Sequence, residues 1–487
     1  MTTTNPFERS LMIGAALIVL SVVTSKASSR LGIPVLLLFL VVGVLAGSHG
    51  LGGIHFTDYA LTQKLGAFAL MFILFSGGMN TDLATIRPVI RPALVLSTLG
   101  VIIATVLVGV FALLFLHFSL IEGLLLGATI ASTDVAAVFT VLRSKNVGLK
   151  TGLAPLLELE SALNDPMAIF LGVALLSLVG DSERSVVGLL PIFFQQMILG
   201  SFIGWGGGKC AALLTNRIKL EYEGLYPVLS LGWIVLLYAT TQSLGGSGFL
   251  AIYIAGVIVG NGNLLHRKSL IHFHEGLAWL GQIAMFLAMG LLVNPKELWA
   301  IAPLGIALSA FLVCIARPVS VFLCLPMGPF SAREKFMLSW GGLRGAVPII
   351  LASYVLASQI PRAIEIFNLV FFVTFFSVLL QGTMIPVVAK WLQVNSPFKE
   401  RFRFPIEFNP TKNLKNNLIE IPVPRGSQVV GQSLVELGLP KDLLIVLIQR
   451  GNDILVPRGG TQIQEQDTLL VLTESESKDE IKKLLRF

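Results

Sequence analysis

The chain has 487 residues, 54% of them hydrophobic and only 13% charged, with a formal net charge of +7 and a mean hydropathy of +0.81. Soluble globular proteins carry about 25% charged residues, so the composition excludes a soluble enzyme and describes a polytopic helical membrane protein. The excess positive charge is better explained by loop placement than by a nucleic-acid partner.

An apolar run of ~17–25 residues crosses a bilayer as a helix. About thirteen such runs are predicted: 8–26, 31–48, 62–79, 92–116, 120–142, 153–179, 186–208, 224–242, 247–261, 275–293, 300–324, 335–358 and 363–391. The first follows a single Arg9 with no small-residue cleavage site, and reads as a retained helix. Odd-numbered loops hold fourteen Lys and Arg residues, against five in the N-terminus and even-numbered loops. Basic residues accumulate on the cytoplasmic side. The expected orientation in the inner membrane is therefore N-terminus outside and C-terminus inside.

The sixth run carries Glu158, Glu160, Ser161, Asn164 and Asp165, followed by Pro166. Asp165 falls roughly 18 Å into its helix, near the middle of a ~30 Å core. An ionisable residue at that depth is a functional-site hypothesis by default. Helical phase puts Glu158, Ser161 and Asp165 on one face and turns Glu160 about 140° away, toward a separate partner. Glu158 reads as either a funnel or a surface acid.

The fifth run contains Ser132-Thr133-Asp134 and the twelfth Gly341-Gly342-Leu343-Arg344-Gly345-Ala346-Val347-Pro348. Both read as interrupted helices. If helices 1–6 and 8–13 are two inverted six-helix repeats with the seventh as linker, the two breaks are equivalent. That arrangement is a sequence pointer to a transporter site. Thr133 could offer an oxygen, Asp134 could neutralise a half-helix N-terminus, and Ser132 reads as small-residue packing. Arg344 is expected to pair with Glu160. Gly245-Gly246-Ser247-Gly248 reads as close helix packing, the six His as lying in or beside loops, with His266, His272 and His274 able to sense cytoplasmic pH, and Cys210, Cys314 and Cys324 as small buried hydrophobes.

Three domains are expected: membrane residues 1–391, a polar linker over 392–416, and a small cytosolic α+β domain over 417–487. In the last, strands are predicted at Leu418–Val423, Leu443–Gln449, Ile454–Pro457 and Thr468–Leu472, and helices at Ser433–Leu437 and Ser477–Leu485.

Ser132-Thr133-Asp134, Glu160-Ser161-Ala162-Leu163-Asn164-Asp165, Gly246-Ser247-Gly248-Phe249-Leu250-Ala251 and Gly342-Leu343-Arg344-Gly345-Ala346-Val347 together resemble the monovalent cation:proton antiporters of the sodium–proton exchanger superfamily. The likeness is strongest to bacterial potassium–proton antiporters of the cell volume regulation protein A type. The tail resembles the C-terminal (TrkA-C) half of the RCK domain. The resemblance implies a homodimer in the lipid membrane, with a K+, Na+ or Rb+ site at Asp165, Ser161 and Thr133. Asn164 and Asp134 would support that site, and Glu160 would pair with Arg344. It implies no cofactor, but a small-molecule regulator of the tail, with a nucleotide as a candidate. Two departures leave selectivity open: Phe75-Ser76-Gly77-Gly78 lacks an acid that many relatives carry, and Pro166 replaces a small residue. One carboxylate shared by mutually exclusive cation and proton couples the two fluxes, and Asn164, where some relatives carry a second acid, implies electroneutral exchange by alternating access. The rivals are an RCK-gated channel, although no Thr-Val-Gly-Tyr-Gly filter occurs, and a sensor with a vestigial membrane part.

Overall fold

The computed structural model describes residues 5–31, 34–150, 152–180, 188–218, 220–262, 264, 266–325, 330–397, 417–424, 426–439, 443–451 and 453–473. They fall in two compact units, Met1–Lys399 and Glu400–Phe487. The first is helical throughout its core. Its segments are α1 (Pro6–Leu31), α2 (Val35–Ala46), α3 (Tyr59–Asn80) and α4 (Leu83–Phe115), then α5a (Leu120–Ala131), α5b (Val135–Ser144) and α6 (Leu153–Gly180). There follow α7 (Leu189–Arg217), α8 (Leu225–Ser243), α9 (Gly248–Asn261), α10 (Arg267–Leu292), α11 (Pro295–Cys324), α12a (Ala332–Trp340), α12b (Ala346–Ala357) and α13 (Ala363–Trp391). Nine of these segments, and α5a with α5b taken as one span, are long and apolar enough to cross a membrane, and α2, α9 and α12b are shorter apolar helices. Hydropathy alone therefore located the helical segments.

Details of the local chemistry repeat seven segments apart. Both α5a and α12a start with a Ser-x-x-Glu capping box, Ser119 with Glu122 and Ser331 with Glu334, and both are then interrupted. Both α4 and α11 contain a π-helical turn, at Leu96–Gly100 and Leu312–Ala316. The close packing is exchanged in the same way. Gly78 of α3 meets Gly256 of α9, and Gly290 of α10 meets Gly43 of α2. A Cβ on any of these four would run into the facing backbone, so glycine is what lets the helices touch.

Several sequence expectations change. His274 lies inside α10, fully buried, with Nε2 2.8 Å from Ser230 Oγ and its ring edge-on to Phe75. The helix starts at Arg267, before the apolar run from which it was predicted. Cys210 and Cys314 are exposed on helix surfaces, and only Cys324 is buried. Ser247 caps α9 through its side chain, and Gly248 packs against Tyr238, which fits the packing role expected there.

Residues 392–397, expected to begin a linker, are part of the helical unit. Strand β2 (Asn395–Pro397) pairs antiparallel with β1 (Val147–Leu149), the connector between α5b and α6. Lys150 N–H donates to the Val394 carbonyl (2.9 Å), and Ser396 Oγ donates to the Leu149 carbonyl (2.9 Å). Val394 is buried.

The second unit holds a four-stranded antiparallel sheet in the order β3 (Asn417–Pro422), β6 (Thr468–Thr473), β4 (Leu443–Arg450), β5 (Asp453–Leu455). Its small core includes Ile421, Val429, Ile448, Ile463, Leu469 and Val471. Asp467 is buried and receives two bonds from Arg450, Nε to Oδ1 (3.0 Å) and Nη2 to Oδ2 (2.9 Å), plus one from Gln464 N–H. These bonds to Asp467 raise the Arg450 pKa. The segment Ser433–Leu437, expected to be helical, forms turns and an isolated bridge from Ser433 to Gln462. Ser477–Leu485 lies outside the described residues.

Candidate functional site

The breaks in α5 and α12 cross one another. The α5 chain leaves its helix at Ser132 and re-enters at Val135, with extended backbone at Ser132 and Asp134. The broken ends leave donors and acceptors that must be satisfied inside the protein. Asp134 N–H donates to the Leu343 carbonyl of the other break (2.6 Å). Its carboxylate caps α5b, accepting from Ala136 N–H (2.9 Å) and Ala137 N–H (3.3 Å). At the opposite end, Arg344 Nη1 donates to the Ala131 and Ser132 carbonyls, the latter at 2.8 Å. A negative side chain thus meets the positive end of one half-helix, and a positive side chain meets the negative end of the other. Gly345 is required by this crossing, because a Cβ there would collide with the Asp134 carboxylate.

Helix α6 seals the α5 break from the side. Ser161 Oγ donates to the Thr133 carbonyl (2.8 Å) and accepts from Val135 N–H (3.2 Å). Asn164 Nδ2 donates to Thr133 Oγ1 (2.7 Å), and Asn164 Oδ1 accepts from Thr133 N–H (3.4 Å). Asp165 is half-buried, and its Oδ1 accepts from Ser132 Oγ at 2.5 Å. The expected residues Asp165, Ser161, Thr133, Asn164 and Asp134 are therefore brought together around one interruption. Ser132, expected to be packing, joins them as a direct partner of Asp165.

The expected Glu160–Arg344 pair is not formed. Glu160 does face away from Asp165, as helical phase required, but its carboxylate lies 2.5 Å from Arg317 Nη2 of α11. Both side chains are buried. Arg344 is instead occupied by the α5a carbonyls and by Ser377, whose Oγ accepts its backbone N–H (3.1 Å). Arg317 is not among the residues expected at the site. Its signal was an arginine seven residues before the end of an apolar run, which the rule that drew attention to Asp165 also covers.

Charge accounting follows from these contacts. Glu160 has Arg317, while Asp134 and Arg344 each serve a half-helix end. Asp165 has one neutral hydroxyl donor and, among the described residues, no ion pair. Residues 16–391 match the model of the sodium/hydrogen exchanger transmembrane family, and residues 418–486 match that of the TrkA-C domain. The chain belongs to the sodium/hydrogen exchanger family. It is a multi-pass membrane transporter, not an enzyme, with a C-terminal TrkA-C domain. The exchanger is 41% identical over 479 residues to the K(+)/H(+) antiporter NhaP2 of Shewanella sp. (strain MR-4), covering 97% of this chain and 82% of that one. It is 34% identical over 480 residues to the K(+)/H(+) antiporter NhaP of Alkalimonas amylolytica, covering 98% and 83%. The Na(+)/H(+) antiporter ApNhaP of Aphanothece halophytica is 31% identical over 380 residues, covering 74% and 70%. In fold, the exchanger is similar to the sodium proton antiporter MjNhaP1 of Methanocaldococcus jannaschii, with a TM-score of 0.70 at 23% identity over 79% of this chain and 99% of that one.

Proposed function

We propose that this protein is a secondary antiporter that exchanges K+ for H+ at Asp165, one cation against one proton. The observation that carries the reading is the isolation of Asp165 beside Glu160, Asp134 and Arg344, each of which has its partner. An ionised carboxylate in such surroundings is costly without a partner, and a proton or a monovalent cation removes the cost. The two ligands compete for one group, so each displaces the other. Ser132 orients the carboxylate, and Ser161 and Thr133 supply hydroxyl or carbonyl oxygen beside it. Asn164, Asp134 and Arg344 hold the broken helices in register, and the Glu160–Arg317 pair ties α6 to α11. The part of the protein that contains the two broken helices rocks to expose Asp165 alternately to each side.

K+ is favoured over Na+ by the names of the relatives at 41% and 34% identity. Na+ is the second reading, since the Aphanothece relative is named for it. The protein would work as a homodimer in the inner membrane, with the N-terminus outside as the loop charges suggest, in the service of cell volume control. The tail would regulate exchange in response to a small molecule, a nucleotide being one candidate. Supporting this coupling, the first residues after α13 pair with the connector between α5b and α6, the two helices that build the site.

The test is proton movement in reconstituted vesicles on addition of K+, Na+, Rb+ or Li+. Exchange should be strongest with K+, nearly independent of membrane potential and absent in Asp165→Asn. An Asp165→Asn protein that still exchanges would overturn the site, and a strong dependence on potential would overturn the one-for-one stoichiometry.

A further inference from the structure

The end of α3 gathers a second set of oxygens that the exchange site does not use. Glu158 lies two turns before Asp165 on the same face of α6, about 10 Å along the axis, with Ser161 between them. Its Oε1 accepts a hydrogen bond from Thr81 Oγ1 (3.1 Å). Tyr253 of α9 approaches the same hydroxyl with its phenol oxygen (3.4 Å). Thr81 is the C-cap of α3, its N–H bonded to the Gly77 and Gly78 carbonyls. Asn261 of α9 donates to the Thr81 carbonyl (2.7 Å). Three helices thus converge on one carboxylate.

The electrostatics of this place do not favour a structural acid. The C-terminal end of a helix carries partial negative charge and is ordinarily matched by Lys or Arg. Here the end of α3 meets a half-buried carboxylate, on which the like charge of Asp82 acts less strongly than the positive charge of Arg143. Arg143 at the end of α5b acts on Glu158 from beyond ion-pair distance, and among the described residues Glu158 forms no salt bridge. Thr81 Oγ1 also reaches the Gly77 carbonyl (2.9 Å), so its one proton is shared between the α3 cap and Glu158, while its oxygen lone pairs remain open to a cation. A carboxylate, a hydroxyl, a phenol and a carbonyl-rich helix end form an all-oxygen set suited to a partly dehydrated monovalent cation. The β1–β2 pairing places the α5b–α6 connector, and with it the start of α6, on the side from which the tail leaves α13. Glu158 therefore lies between that side and Asp165.

We propose that Glu158, Thr81 and Tyr253 form a second monovalent-cation station, where an ion arriving from the tail side exchanges part of its water shell for protein oxygen before reaching Asp165. The inference rests on the exchange reading above, and its test keeps the two apart. Proton movement is titrated against K+ in vesicles of both orientations. Glu158→Gln should raise the half-saturating K+ concentration about tenfold on the tail side, in line with losing one charge-assisted contact, and less than about twofold on the other. Thr81→Val should give a smaller shift on the same side, and Glu158→Asp should recover part of the loss. An equal shift on both sides, or none, overturns the station. Wild-type protein without K+-dependent proton movement, or activity retained in Asp165→Asn, overturns the exchange reading instead. If Glu158→Gln cannot be purified as a folded protein, the sidedness of Thr81→Val and Tyr253→Phe decides.

Discussion

The two interrupted helices occupy equivalent places in the inverted repeats and begin with the same Ser-x-x-Glu cap, yet their breaks are built from different materials. The α5 break is lined by Ser132, Thr133 and Asp134, three side chains that donate, accept or carry charge. The α12 break is lined by Gly341, Gly342 and Gly345, with the apolar Leu343 and a single charged residue, Arg344, between them. Each break needs the other. Arg344 satisfies carbonyls of α5a, and the Leu343 carbonyl accepts from Asp134. The difference is a division of labour. One half brings the oxygen chemistry next to Asp165, and the other supplies the space and the single positive charge that let the halves approach.

The charges can be broken first, with the largest expected effect. Glu160→Gln or Arg317→Gln should each cost about 3–5 kcal/mol of stability, because each leaves a buried charge without its partner. Thermal unfolding in detergent reads this directly. The double substitution should recover much of the loss, whereas Glu160→Gln and Arg344→Gln should couple far more weakly, through the longer-range field alone. Strong coupling of Glu160 with Arg344 and additivity with Arg317 would restore the pairing expected from sequence.

The space can be filled next. Gly345→Ala places a methyl against the Asp134 carboxylate, and the resulting displacement should lower the exchange rate about a hundredfold. Gly341→Ala is the control at the same break. A Cβ there would sit 3.1 Å from the Met337 carbonyl and 3.3 Å from a Leu157 methyl, a contact that small shifts relieve. Similar losses in both variants would mean that the break tolerates no side chain at all, and that Gly345 has no special place in it.

Much of this arrangement is legible in the sequence, and the remainder fails for identifiable reasons. Hydropathy marks the membrane segments because a ~30 Å apolar slab imposes their length. Polar or glycine-rich interruptions of such runs stand out for the same reason, as at Ser132-Thr133-Asp134 and around Arg344. Helical phase separates Glu160 from Asp165, but phase gives a direction and not the identity of the neighbour. Arg317 is more than 150 positions from Glu160, and only the packed structure brings them together. The β2 strand is equally hidden, with three residues whose partners lie nearly 250 positions upstream. An apolar window starts α10 only after His274, because the helix begins with Arg267 and Lys268.

Ser132 gives the finest test of the comparison, because its hydroxyl admits two readings. A small residue at a helix end suits close packing, and Ser132 is only 1% exposed. If packing is its role, Ser132→Ala removes one oxygen from a tight site and changes little. In the structure, however, that hydroxyl is the one donor to Asp165 among the described residues. Removing it leaves the carboxylate free to turn away from Thr133 and Ser161, at a cost of about 1.5 kcal/mol for a bond to a charged acceptor. The half-saturating K+ concentration should then rise about tenfold. The Glu160–Arg317 pair lies on the opposite face of α6, so the unfolding temperature in detergent should stay near that of the wild type. A half-saturating concentration within twofold of wild type would return Ser132 to packing and leave the polar chemistry of the α5 break to Thr133 and Asp134.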